Sequence, residues 1–174
     1  SATGAMEGAW AIKTGNLVSL SEQELLDCSR RYGNNACDGG VMEEAFTFAI
    51  DHGMCSETDD PYRAASGLCR DCRPLARMAG CLDVQPGNQV ALMSAVASGP
   101  VSVAIEADHN IFHLYGGGVI SDASCGTALD HGVLIVGYGH DSVLDLDYWL
   151  VKNSWGDEWG EDGYVRIART NKTN

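Results

Sequence analysis

The hydrophobic period of this chain changes once, and that change divides what it can fold into. Up to about Pro100 the apolar residues recur at helical spacing, and beyond it they alternate as strands do. The stretch from Ser1 to Lys13 is rich in Ala, Met and Glu, ends at Gly15 and has no cap of its own, so it reads as a helix already under way. Ser21 with Glu24 forms a capping-box pattern ahead of Leu25 and Leu26, predicting a second short helix that ends near Cys28. A third is predicted from Val41 to about Asp51, with Val41, Met42, Ala45, Phe46, Ala49 and Ile50 on one face and Gly53 as its stop. A fourth runs from Gln89 to Ala97 and ends at Gly99 and Pro100. Val101 to Ala107, His131 to Tyr138, Tyr148 to Asn153 and Tyr164 to Ile167 then read as antiparallel strands. Helices first and strands later predict an α+β chain with a helical lobe over 1–82 and a β-rich lobe over 83–174. Gly116 to Gly118 follow no strand-to-helix pattern and read as a turn.

Composition narrows the function. Of 174 residues, 45% are hydrophobic, enough for a packed core. Eleven basic against twenty-four acidic residues give a charge of -13, which repels phosphate backbones and anionic membrane surfaces. Nucleic acid and membrane are therefore excluded as partners. No apolar run is long enough to span a bilayer and no leader pattern opens the chain, so it reads as soluble and already processed. Such an acidic surface loses charge in an acidic compartment, which points to a lysosomal, vacuolar or secreted setting, and seven cysteines in an oxidising compartment indicate a disulfide framework with one thiol over. Cys69 and Cys72 have the spacing that could begin a zinc site, but the second close pair such a site needs is missing, so neither metal nor cofactor is expected.

Two polar residues in the second half are hard to justify by packing. His131 opens one strand and Asn153 closes its partner, and in a regular hairpin turning near Ser142 they are opposite or diagonal neighbours on one face. A lone histidine is more often a satisfied structural residue than a functional one. An imidazole held by a carboxamide, with Trp155 and Trp159 nearby, is a different case, because an acid-base histidine must be fixed in one orientation and tautomer.

Six strings of residues carry a resemblance. They are Ser21-Glu-Gln-Glu-Leu-Leu-Asp-Cys28, Cys37-Asp-Gly-Gly40, Gly99-Pro-Val-Ser-Val103, Leu129-Asp-His-Gly132, Gly137-Tyr-Gly139 and Lys152-Asn-Ser-Trp-Gly156. In this order and rough spacing the chain resembles the papain and cathepsin L family of cysteine endopeptidases over essentially its whole length. The resemblance implies a two-lobed α+β fold, with a helical lobe, an antiparallel barrel-like lobe and a cleft between them. It also implies a cysteine thiolate paired with an imidazolium, attack on a peptide carbonyl and an acyl-enzyme that water hydrolyses.

By that resemblance His131 is the acid-base histidine, Asn153 the residue that orients it and Trp155 the indole that shields their hydrogen bond. The nucleophilic cysteine is expected about four residues before Ser1, which places His131 about 135 residues after it, within the family interval of about 130 to 150. The oxyanion-hole glutamine is expected upstream too, and the chain alone is expected to be inactive. Gly39 and Gly40 match positions that pair with an extended peptide. Val41, Met42, Ala104, Leu129 and Gly132 match positions lining the pocket for the second residue before the cut, although apolar residues of this kind also serve as core. A preference for bulky apolar side chains follows.

The resemblance also pairs Cys28 with Cys69, closing a loop of about 41 residues that is worth about 4 kcal/mol in the chain-entropy model. It gives Cys37 and Cys125 partners outside the chain. Of Cys55, Cys72 and Cys81 only two can pair with one another; Cys55 with Cys72 is the expected pair, leaving Cys81 a free thiol. The end also looks cut short, and Asn171-Lys-Thr173 matches a glycosylation acceptor. Implied partners are polypeptide substrates and propeptide or cystatin-like inhibitors, acting on a monomer. Two rival readings stand beside this one: a non-catalytic binding or storage homologue that keeps the cleft, and a metal-binding module built on the central cysteines.

Overall fold

Ala and Met at helical spacing give α1, Ala2–Thr14, which buries Ala2, Thr3 and Met6 and ends where Gly15 takes a positive φ of 78°. The computed structural model describes residues 1–122 and 125–169, and the Asn171 acceptor lies outside them. The chain divides into two compact units, Ala2–Asp83 and Val84 onward, with Ser1 counted in the second.

In the first unit, α2 covers Glu22–Cys28 and α3 covers Met42–His52, with Gly53 closing α3 by donating its N–H to the Ala49 carbonyl at 2.9 Å. Val41 is extended just ahead of α3 and is 52% exposed, whereas Phe48, absent from the expected apolar face, is buried with Ala45 and Ala49. The core gathers Met6, Leu20, Phe48, Ala49, Met54 and Ala76. From Cys55 to Asp83 no helix or strand longer than a bridge forms. Cys28 joins Cys69 and Cys55 joins Cys72, with Cα separations of 4.7 and 6.1 Å. Cys69 and Cys72 are thereby consumed in different bridges, which removes the metal module. Cys37, Cys81 and Cys125 are exposed thiols.

The capping box is only half made. Ser21 accepts the Glu24 N–H at 2.9 Å, but its own N–H goes to the Cys55 carbonyl at 3.0 Å. The Glu24 carboxylate is therefore free to turn inward, where it accepts the Cys55 N–H at 2.7 Å. Gln23, Glu24 and Asp27 are all buried while Leu25 and Leu26 are only half-buried, so the polar face of α2 packs inward. Burial pushes the Glu24 carboxyl above its ordinary 4.5, with Asp60 adding to the shift and the Cys55 bond opposing it. A raised folded value means that this residue's contribution is complete below the unfolded value and is lost as pH rises through the folded one. Glu24→Gln should therefore gain stability relative to wild type between pH 4.5 and pH 7, read by urea denaturation with the disulfides intact; an identical gap at both pH values would refute this.

In the second unit, Asn88 caps α4, Gln89–Ser98, by accepting the Ala91 N–H at 2.9 Å. Among the described residues five strands follow: β1, Val101–Ile105; β2, Val119–Ile120; β3, His131–Asp141; β4, Leu146–Lys152; and β5, Tyr164–Ala168. A short helix α5, Asn110–His113, precedes β2. The strands form one sheet in the order β1-β3-β4-β5-β2. Three pairings are antiparallel as expected, and β2 pairs with β5 in parallel. Neither β2 nor α5 is long enough to show a hydrophobic period. Val133, Ile135, Trp149, Val151 and Val165 form the core with Val96, Phe112, Tyr115 and Ile120.

One irregularity positions the site. Near the tip Gly139 pairs with Tyr148 and Asp141 with Leu146; carried regularly to the start of β3, that register would put His131 and Asn153 on opposite faces. A bulge between Ile135 and Gly137 advances β3 by one residue, so that Leu134 pairs with Lys152. His131 then continues the inward row of Val133 and Ile135, and Asn153 continues that of Val151 and Trp149.

Candidate active site

His131 and Asn153 meet as diagonal neighbours, with His131 Nε2 2.8 Å from Asn153 Oδ1. The backbone N–H of Ser154 donates to the same oxygen at 2.8 Å. An N–H can only donate, so the Asn153 oxygen is fixed as the acceptor and His131 must donate its Nε2 proton to it. Nδ1 is thereby left as the basic nitrogen of the neutral ring, the one free to take up or return a proton. Asn153 is 8% exposed, and its N–H donates to the Gly163 carbonyl at 3.0 Å. Its Nδ2 is buried without a partner, so the amide is held through its oxygen and backbone alone.

Trp155 lies over His131, with ring centroids 5.2 Å apart and 27° between planes. Buried Phe112 meets the indole edge-on at 5.3 Å, and Trp159 does the same at 5.3 Å. This aromatic cover removes water from one side of the His131–Asn153 bond, where it would otherwise compete. The segment from Asn153 to Gly163 is tied down behind the site by Arg166, which donates to Glu161 at 2.8 and 2.7 Å and also to Asp141. Glu161 in turn accepts the Gly118 N–H at 2.9 Å. Arg166 holds the Glu161 carboxyl below its usual value, and the Leu144 N–H together with Arg166 does the same for Asp141.

The remaining expected residues fall in two groups. In the second unit Ala104 pairs with Gly132 across β1 and β3, and Leu129 sits on the loop entering β3, 65% exposed. That loop is braced by Asp130, which accepts the Ala107 N–H at 2.7 Å, and by Glu106, which accepts the Ala128 N–H. A side chain at Gly126 would collide with the Glu106 carboxylate. In the first unit Gly39, Gly40, Val41 and Met42 form one run, and Met42 also packs against the core. Buried Asn34 organises the run by accepting the Val41 N–H at 2.9 Å and donating to Ser29 Oγ at 2.9 Å. Gly39 has a φ of 103°, and any Cβ at Gly40 would occupy the place of the Asn34 side chain. Asn34, Glu106, Phe112 and His113 are residues that sequence reasoning missed: Asn34 acts through a local brace, and the other three through contacts with residues distant in the sequence, none of which leaves a periodic signal.

The model of the papain family of cysteine proteases matches residues 1–174. The chain belongs to the papain family. Among its papain-family relatives, it is 50% identical to a cathepsin L-like protein of Caenorhabditis elegans over 179 residues, covering all of this chain and 52% of that protein. It is likewise 50% identical to human cathepsin L2 over 177 residues, covering 97% of this chain and 53% of the relative. The chain thus spans about half the length of the curated relatives it matches. Among solved papain-family structures, the proform of the ragweed pollen cysteine protease Amb a 11 superposes with a TM-score of 0.94 at 40% identity, covering 99% of this chain and 47% of that one. Bromelain from Ananas comosus, solved with the E64 inhibitor, gives 0.92 at 40% identity, covering 99% and 79%. The α+β fold is therefore the papain fold.

Proposed function

We propose that the protein carrying this chain is a cysteine endopeptidase in which His131 is the acid-base and Asn153 the residue that orients it. The observation carrying this is the 2.8 Å bond from His131 Nε2 to the Asn153 oxygen, which fixes the tautomer and leaves Nδ1 to exchange a proton with sulfur. The attacking sulfur is that of the cysteine nucleophile by which the papain family is defined, and the family match supports this reading. Its thiolate pairs with protonated His131 and attacks the peptide carbonyl, and His131 gives its proton to the leaving amine. The acyl-enzyme is then hydrolysed by water, from which His131 Nδ1 takes a proton.

Substrates are polypeptides. Gly39 and Gly40 supply bare backbone to an extended chain, and Val41 and Met42 in the first unit, like Ala104, Leu129 and Gly132 in the second, match positions that the family uses for the second residue before the cut. The proform of one solved relative and the E64 inhibitor complex of another support regulation by a propeptide and by inhibitors. Among the described residues no helix is long and apolar enough to cross a membrane. The disulfides support a lysosomal, vacuolar or secreted location.

The test is made on the full-length, processed protein. It should cleave peptides with Phe or Leu at the second position before the cut in mild acid, and an affinity alkylator should label one thiol stoichiometrically. A protein that neither cleaves nor is labelled would be a non-catalytic homologue.

A further inference from the structure

The aromatic cover over His131 is assembled from two stretches of chain. Phe112 lies on α5, which leads into the turn at Gly116 to Gly118, while Trp155 and Trp159 belong to the segment between β4 and β5. Ring contacts join the two: Phe112 meets Trp155 at 5.3 Å and Trp159 at 5.1 Å, His113 meets Trp155 at 5.0 Å, and Tyr115 meets Trp159 at 5.7 Å. Aromatic pairs tolerate a spread of centroid distances and tilts, so ring contact alone does not fix how far one stretch slides along the other. Directional bonds to a charged acceptor do.

Glu161 provides that acceptor. Its Oε1 accepts the Gly118 N–H at 2.9 Å and an Arg166 N–H at 2.7 Å, and its Oε2 accepts the Arg166 Nε proton at 2.8 Å. The same turn is held a second time, since the Gly118 carbonyl accepts the Tyr115 hydroxyl at 2.6 Å and that hydroxyl oxygen accepts the Arg166 backbone N–H at 3.3 Å. Arg166 on β5 is therefore the post to which the turn is tied. Two residues beyond Glu161, Gly163 accepts the Asn153 N–H at 3.0 Å and donates its own N–H to the Trp159 carbonyl at 2.8 Å. The carboxylate thus sits between the turn that follows Phe112 and the backbone that holds Asn153 and Trp159. We propose that Glu161 is a positioning residue: by stapling the Gly116 to Gly118 turn to the segment from Asn153 to Gly163, it keeps the aromatic cover closed over the His131–Asn153 bond. Its effect on turnover rests on the role of His131 given above; its effect on the bond does not.

The test is solvent exchange of the His131 Nε2 proton, followed by NMR on the full-length, processed protein with 15N-labelled histidine. Glu161→Gln keeps one acceptor oxygen for three donors and should speed that exchange roughly 3-fold, while Glu161→Ala, which keeps none, should speed it about 10-fold. Asp141 bonds to Arg166, Val143 and Leu144 at the hairpin tip, so Asp141→Asn weakens the other ion pair of the same guanidinium and should lower Tm without changing the exchange. In Glu161→Ala kcat should fall about 10-fold with KM within about twofold of wild type, because the loss is one of alignment and not of peptide binding. Should Glu161→Ala not fold, Glu161→Gln decides alone. Unchanged exchange in Glu161→Gln, an equal rise in Asp141→Asn, or a raised KM at unchanged kcat would show that the clamp only stabilises the fold and would overturn the proposal. A protein without peptidase activity would sink the proposed function and leave the exchange measurement to judge Glu161.

Discussion

Given the roles proposed for them, replacing His131 with Ala is expected to lower kcat/KM of the full-length, processed protein by about 10⁴-fold, and Asn153→Ala by about 10²-fold. The first substitution removes the proton carrier and the counter-charge of the thiolate together. The second leaves the imidazole present but frees it to rotate about the bond that the 2.8 Å contact now fixes. His131→Ala should also abolish alkylation at pH 6, because the thiol then returns to its ordinary range near 8.5. Thermal unfolding should change little, since His131 is only half-buried. An enzyme retaining a tenth or more of its activity without His131 would remove this residue from the chemistry.

The second large effect concerns stability. Asp27→Ala should cost about 3 kcal/mol and lower Tm by roughly 6 to 12 °C, measured by calorimetry. Buried Asp27 accepts from Gln23 at 3.0 Å, from Arg63 at 2.8 Å and from the Gly67 N–H at 2.5 Å, so its loss strands three donors at once. Burial alone would raise its pKa, but the bonds from Gln23, Gly67 and Arg63 outweigh burial and lower it. A lowered value means that the contribution is present above the unfolded 3.8 and is lost only as pH falls through the folded value. Asp27 thus continues to hold the loop in mild acid. A Tm within about 2 °C of wild type would show that the Cys28–Cys69 bridge alone holds it.

The two halves of the chain were unequally legible. α1, α3 and α4 are read from the sequence to within a residue or two at each end because their stops are local: Gly15, Gly53 and Gly99 act within one turn. The buried face of α2 was not, since a hydrophobic period points Leu25 and Leu26 inward and cannot announce that Gln23, Glu24 and Asp27 pin a distant loop. His131 and Asn153 were found together, yet the regular hairpin turning at Ser142 is not the one that forms. Two departures, a later turn and a bulge, cancel, and bulges leave little sequence trace here because the shift falls between Ile135 and Gly137 in an otherwise even strand. His113 escaped notice because its contact depends on residues more than forty positions away.

The bulge separates the far end of the hairpin from the chemistry. What sets the His131–Asn153 pair is the alignment of Leu134 with Lys152, held by the core beneath it, and the single extra residue at the bulge joins that alignment to the pairing of Asp141 with Leu146 at the tip. A β3 shortened by that one residue would join both ends without a step, so the whole irregularity of the hairpin is carried by one position.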